Sequence, residues 1–384
     1  MKILFCSYAF WPSVGGIETV SARLAEAWVR AGESIVMLSQ TAAEEERDWP
    51  FPIKRKMNFW GEVKEARNHD LVYSNGASLR YALVALLAWK PFIWTHTAYQ
   101  VTCIDALGIV DRKPAPVTPW ASVGFHLRHR GIWQGLYGGF LLAIRRLVAW
   151  RYAYNVEITH FMAEHHPLPR QRVIYNPFFF RYFKTTDREE AMEETEKADA
   201  TFSYLGRLVM EKGVHILIRA FARLVESDRR NGVSRAATLK IIGGGTEEPY
   251  LRQLAEDLHI SGQIQWLGCK TDTDLVEEVR RSGIFVLPSM NAEPQGIVIL
   301  EMMAAGKPLI VTGPSGLSEC AQDAALTVSC NDEPALAETM DRLRRDVELQ
   351  KKLIDRGLVR VRDFNPEKSA EEYLALFEEV LRRA

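Results

Sequence analysis

At 384 residues, with 48 basic and 49 acidic side chains and a net charge of -1, the chain is too long for one ordinary core. It suits two domains of about 180 to 200 residues. The charge balance excludes a globally basic nucleic-acid binder. The five cysteines, Cys6, Cys103, Cys269, Cys320 and Cys330, form no C-x-x-C pair and no Cys/His cluster of zinc spacing, which reads as a reduced, cytosolic chain.

The opening "MKILFCSYAFWPSVGG" carries an apolar stretch too short for a secretory signal and reads as a first buried strand. No run of apolar residues reaches the roughly 18 that a membrane-spanning helix needs. From there short apolar runs alternate with amphipathic stretches: "TVSARLAEAWVRAG", "SIVML", "LVYSNG", "LRYALVALLAW", "PFIWTHTAY", "VEITHF" and "RVIYNP". That alternation predicts a parallel, doubly wound α/β domain over 1–182. "TTDREEAMEETEKADA", with seven acids and two bases between Asp187 and Asp199, reads as part of a solvated linker over 183–200. The alternation restarts with "TFSYLGRL", "VHILIRAFARLVES", "TLKIIGGG", "QIQWLG", "GIFVLPS" and "PLIVTG", predicting a second domain of the same build over 201–365. Two open sheets facing each other across a cleft place the carboxyl ends of their strands, the usual ligand edge, toward that cleft.

Several clusters lie at predicted strand ends. In "LGRLVMEKGVH", Arg207 and Lys212 stand five residues apart where a strand opens toward a helix. A fork and a point charge so placed suit a multiply charged anion, and a solvated pair at a turn fits the same spacing. Gly243 to Gly245 follow an apolar strand without the G-K-[ST] of a P-loop, so a tight turn and a nucleotide contact both remain open. Glu293 and Glu301 stand eight positions apart, which on one helix leaves them about 80° apart, on neither the same nor opposite faces. Pro294 and Gly296 resolve this by placing Glu293 in a loop and Glu301 inside the helix that follows. Free amides at Gly296 and Ile297 then suit phosphate oxygens, and the two acids suit the hydroxyls of sugar and ribose. The competing reading is an acid complementing the helix dipole and a solvated helical residue, but an unpaired acid inside the apolar "GIVILEMMAAG" is costly. In the first domain Gly15 and Gly16 let a loop bend against a ligand before Glu18 opens a helix, without G-x-G-x-x-G spacing. His96, after a strand-like run, fits a packing residue and a group at a reacting centre equally.

Together and in this order, "LGRLVMEKGVHILIRAF", "LKIIGGGTEEPYLRQLAEDL", "IQWLG" and "VLPSMNAEPQGIVILEMMAAGKPLIVT" resemble the family-4 glycosyltransferases of the retaining GT-B class. The likeness covers nearly the whole chain, and the joint presence of G-R-x-x-x-E-K-G and the spaced glutamates is its specific part. It implies two Rossmann-like domains, the acceptor handled by the first and the nucleotide diphosphate sugar by the second, with the last helix, about 366–384, packed back on the first. Residue by residue, it implies that Arg207 and Lys212 neutralise the donor diphosphate, that Glu293 holds sugar hydroxyls and that Glu301 binds the ribose. Gly16, beside Gly15, approaches the diphosphate, and His96 lies beside the sugar. Gly243, Gly245, Cys269, Gln295, Gly296 and Ile297 complete the donor site, with backbone near Gly243 to Gly245 and Cys269 reading a base that stays open among uracil, guanine and adenine. Gln295 departs from the aromatic residue commonest at its position. With no D-x-D pair near these elements, neither a metal nor another cofactor is expected, and retention without a placed nucleophile favours front-face transfer of a hexose. A catalytically silent GT-B module and a GT-B sugar-nucleotide epimerase are the alternatives.

Between Arg112 and Val156 seven Lys or Arg residues and no acid interleave with Trp120, Phe125, Trp133, Tyr137, Phe140 and Trp150. Such a region suits an anionic membrane face, with Arg145 and Arg146 as expected contacts, and a lipid-linked acceptor; a packed helix pair with exposed arginines also fits. The expected location is cytoplasmic, peripheral on the inner face of the membrane, with a nucleotide-sugar donor, a glycan or lipid-linked acceptor and no nucleic-acid partner.

Overall fold

The computed structural model describes residues 1–13, 15–43, 47–76, 78–106, 108–110, 113–178, 187–197, 201–233, 237–290 and 293–383. The chain divides into two compact units, Met1–Phe179 with Phe364–Ala384, and Phe180–Asp363.

The first unit holds strands β1 (Lys2–Ser7), β2 (Ser34–Ser39), β3 (Ile53–Arg55), β4 (Leu71–Asn75) and β5 (Phe92–His96). A two-stranded antiparallel pair, β6 (Ile109–Val110) and β7 (Lys113–Pro114), precedes β8 (Tyr154–Glu157) and β9 (Gln171–Val173). The main sheet runs β3-β2-β1-β4-β5-β8-β9 with every neighbouring pair parallel. Strands such as Leu71–Asn75 and Phe92–His96 are buried at every position, as strands covered by helices on both faces must be. One covering layer comes from the far end of the sequence. Tyr373 and Phe377, on the helix Pro366–Arg383, meet the Trp28 ring edge-on at 5.7 and 5.1 Å, and the Tyr373 hydroxyl lies 3.0 Å from Thr95 Oγ1.

The second unit holds β10 (Thr201–Leu205), β11 (Thr238–Ile242), β12 (Ile264–Gly268), β13 (Ile284–Leu287), β14 (Leu309–Gly313) and β15 (Leu326–Ser329), again all parallel, in the order β12-β11-β10-β13-β14-β15. Counted within each unit, both sheets step outward from the first strand one way and then restart on its other side at the fourth strand. This is the doubly wound order, whose reversal opens a crevice at the carboxyl ends of the two central strands.

The solvated linker is corrected in part. Residues 183–186 and 198–200 lie outside the described residues, but Arg188–Lys197 is a helix that packs on the second unit. Ala191 is fully buried against Ile354 and Leu358. A Cβ on Gly306 would lie 2.4 Å from that of Ala191, so the helix seats on a bare backbone. Glu194 meets the buried ammonium of Lys307 at 2.9 Å. The acids that looked like a solvation signal include a buried lysine's counter-charge, which sequence-local charge counting does not show.

Candidate active site

The segments leaving the carboxyl ends of β10 and β13, the two strands at the reversal of the second sheet, pack against each other. After β10 the chain makes a single turn over Met210–Lys212 and reaches Gly213, whose φ of +66° begins the helix Val214–Arg230. A Cβ there would stand 2.0 Å from the carbonyl oxygen of Pro288, just past β13. Only glycine allows this approach, and the Met290 amide donates to the Glu211 carbonyl at 3.0 Å across it. The Tyr204 hydroxyl, inside β10, donates to the Arg207 carbonyl at 2.8 Å and fixes the start of the same loop.

This packing puts Lys212 on Glu293. Lys212 Nζ donates to Glu293 Oε1 at 2.7 Å, Ser289 Oγ donates to Oε2 at 3.1 Å, and Thr312 Oγ1 donates to the Ser289 carbonyl at 2.7 Å. Burial pushes the Glu293 carboxyl up, but the charge and hydrogen bond of Lys212, the Ser289 hydroxyl and the charge of Arg207 outweigh it and hold it below the usual carboxylate range. Glu293 is therefore an ionised acceptor fixed at both oxygens. Arg207 stands differently: its side chain is 69 % exposed and lies 3.5 Å from Glu211, so the two expected clamp cations are not joined. Lys212 is held in the cluster, and Arg207 is free to move in water.

Glu301 lies inside the helix Ile297–Ala304, which buries Ile299, Leu300, Met302 and Met303. Its half-buried carboxyl makes no side-chain hydrogen bond or ion pair among the described residues, and desolvation pushes its pKa up to about 7. Gly296, at φ +75°, precedes the helix and supplies no side-chain cap, leaving the first amides, including that of Ile297, as donors. Gln295 is corrected: its side chain is 1 % exposed and bonds toward Cys320, because the Pro294 turn directs it into the core.

The Gly243–Gly245 run also has a structural cause. A Cβ on Gly243 would lie 1.9 Å from the Gly206 carbonyl oxygen, and one on Gly245 2.2 Å from that of Leu208. Protein backbone fills the space these glycines leave, so the tight-turn reading accounts for them. Cys269 is exposed, its sulfur 3.0 Å from where a Gly244 Cβ would stand.

In the first unit Gly15 is extended, and the space of its absent Cβ is taken by the Glu18 carboxylate, to which Ser13 Oγ donates at 2.8 Å. The exposed Gly16 thus begins a helix whose positive end already faces an acid. His96 is fully buried, and its Nε2 lies 2.9 Å from Asn155 Oδ1, so this structure presents it to the interior of the first unit. Burial lowers its pKa to about 4. Beside it are Glu157, raised to about 7 by desolvation, and His166, lowered to about 3 by desolvation and by the charge of Arg146. Neither Glu157 nor His166 carries a sequence signal, since Glu157 joins His96 through strand pairing and His166 through the helix that follows β8. Ser289 and Tyr204 were equally invisible, although a hydroxyl four residues before Glu293 was a weak cue.

Residues 186–360 match the family model described as glycosyl transferases group 1. Among curated proteins, the lipopolysaccharide core biosynthesis glycosyltransferase LpsE of Rhizobium meliloti is 33% identical over 175 residues, 45% of this chain and 48% of that protein. Glycogen synthase of Mycobacterium tuberculosis is 37% identical over 131 residues, 34% of this chain and 30% of that protein. The matched part thus spans half or less of these relatives. Among solved structures, Anabaena HepE in complex with UDP-glucose superposes with a TM-score of 0.74 at 16% identity, over 99% of this chain and 100% of that one. WaaG, a glycosyltransferase involved in lipopolysaccharide biosynthesis, superposes with a TM-score of 0.68 at 16% identity, over 96% and 98%. At such identities the likeness establishes the fold alone, two parallel-sheet α/β domains of the GT-B kind.

Proposed function

We propose that the chain, whose residues 186–360 match the glycosyl transferases group 1 model, is a retaining hexosyltransferase. It takes a nucleotide diphosphate sugar as donor and a glycan or lipid-linked molecule as acceptor, and needs no metal at the diphosphate. The observation that carries the reading is the Lys212–Glu293–Ser289 cluster at the reversal of the second sheet. There an ionised carboxylate fixed at both oxygens suits sugar hydroxyls, and a cation within 2.7 Å of it suits the phosphate attached to the same sugar. Glu301, desolvated and without a side-chain partner among the described residues, suits the two hydroxyls of a ribose, and the Gly296 helix start suits phosphate oxygens.

Chemically, the bond from the anomeric carbon to the phosphate oxygen breaks as the acceptor oxygen bonds to that carbon on the same face. The departing phosphate oxygen takes the acceptor's proton. Negative charge accumulates on the diphosphate, where Lys212 and, once it swings from Glu211, Arg207 lower the barrier most. Because Arg207 is exposed and pairs with Glu211 at 3.5 Å, an exposed-side contact of little worth, its recruitment costs little.

The first unit supports an acceptor at a membrane surface. Trp120 and Trp133 are 89% and 82% exposed, and Tyr137, Phe140, Leu147 and Trp150 are exposed with them on helices Pro119–His129 and Ile132–Arg151. Exposed Arg128 and Arg151 accompany them, and no acid interrupts the segment. Arg145 and Arg146 are corrected: both are half-buried and donate to the carbonyls of Gln100 and Val101 at 3.4 and 3.1 Å, so they staple the helix Ile132–Arg151 to the fold. Arg112 lies outside the described residues. No described helix is long and apolar enough to cross a membrane.

The test is a panel of UDP-, GDP- and ADP-sugars, with and without membrane extract, assayed for released nucleoside diphosphate. One donor should turn over, and Glu293→Ala should abolish release. Undiminished release by Glu293→Ala refutes the donor site.

A further inference from the structure

We propose that His96, Glu157 and His166 form a binding site for a divalent transition-metal ion of the zinc class in the first unit, tying two sheet strands to the helix after them. All three side chains are fully buried, and one ligand atom from each lies within 4.8 Å of the others. The fold places them together. His96 and Glu157 are paired residues at the ends of adjacent parallel strands β5 and β8, and His166 ends the helix His160–His165 that follows β8.

The hydrogen bonding leaves this cluster incomplete in the manner of a metal site. Asn155 Nδ2 donates to the carbonyls of Ala149 and Pro169 at 2.9 and 2.8 Å, which leaves its Oδ1 as an acceptor. His96 Nε2, 2.9 Å away, must then carry the hydrogen, and Nδ1 keeps its lone pair. That Nδ1 has no hydrogen-bond partner, nor have Glu157 Oε2 and both nitrogens of His166. His166 Nδ1 does lie 2.9 Å from Glu157 Oε1, but outside hydrogen-bond geometry, which suits two ligands sharing an ion better than a donor and its acceptor. Glu157 Oε1 also accepts from Gln171 Nε2 at 3.3 Å, and Asn155 and Gln171 act as the outer partners that orient metal ligands. Buried polar atoms without partners are uncommon, and a bound ion is one of the few things that satisfies several at once. Two imidazoles and one carboxylate are a zinc-type donor set with a fourth position open, whereas calcium and magnesium prefer all-oxygen shells. A divalent cation also balances the charge of the buried Glu157 carboxylate. The site is independent of the Lys212–Glu293 cluster and assigns His96 a structural role in place of sugar contact.

The experiment uses the full chain, stripped with chelator, then dialysed against Zn²⁺ and analysed for bound metal, with Co²⁺ as a spectroscopic probe. Expected are one bound zinc per chain, a visible d–d band of a low-coordinate Co²⁺ site, and a melting temperature that rises with Zn²⁺. His166→Asn and Glu157→Gln should each weaken Zn²⁺ binding at least tenfold, while Glu293→Ala keeps it. The folded wild type suffices if a variant fails to fold, because paramagnetically shifted imidazole N–H proton signals of its Co²⁺ form report histidine ligation directly, and their absence counts against the site. No metal uptake by the folded wild type, or uptake unchanged in folded His166→Asn and Glu157→Gln, overturns the proposal.

Discussion

Replacing Glu301 by glutamine separates the cost of this carboxylate to the fold from its use to a ligand. Its pKa rises from 4.5 to about 7 because burial removes water and no partner replaces it. Between those values the folded chain holds a proton that the unfolded chain has released, so stability falls as pH rises through this window and stays reduced above it. At roughly 1.4 kcal/mol per pH unit, ionising Glu301 costs the second unit on the order of 2 kcal/mol at pH 8, once the water still reaching the side chain is allowed for. Glu301→Gln keeps the shape and removes the charge. Differential scanning calorimetry should show the variant melting roughly 4–8 °C higher than wild type at pH 8, with the gain shrinking below about 1 kcal/mol at pH 5. The donor should respond the other way, because glutamine replaces an ionised acceptor. Affinity for the nucleotide diphosphate sugar should drop by roughly tenfold to a hundredfold, and wild-type affinity should tighten as pH rises through about 7. A variant that melts no higher than wild type at pH 8, or gains equally at both pH values, would refute the reasoning.

Gly213→Ala should lower the stability of the second unit by more than about 2 kcal/mol, measured by urea midpoint, since it combines a left-handed backbone with a 2.0 Å approach to the Pro288 carbonyl. Gly232→Ala, at φ +62° with nothing within 4 Å, should cost only about 1 kcal/mol, and equal losses would discount the clash. Trp133→Ser with Trp150→Ser should cut cosedimentation with phosphatidylglycerol vesicles at least about tenfold while leaving nucleoside diphosphate release intact. Unchanged cosedimentation would remove the membrane surface from the account.

The two-layered alternation of strand and helix was legible along the chain because both periodicities are local: apolar runs such as Leu71–Asn75 and Phe92–His96 lie fully buried in parallel sheets. The positions of Arg207, Lys212, Glu293 and Glu301 after strand ends were equally legible, since turn residues mark where strands stop. What the cations and acids touch was not. Only packing decided that Lys212 binds Glu293 while Arg207 faces water, because the Pro288 carbonyl, far along the chain from Gly213, sets that approach. Packing likewise turned the acidic segment at 188–197 into a docked helix, sent Gln295 inward, and joined His96 to Glu157 and His166. Backbone preference is written in near neighbours, whereas the partner of a charge is chosen by strand register and loop contact between residues far apart in sequence.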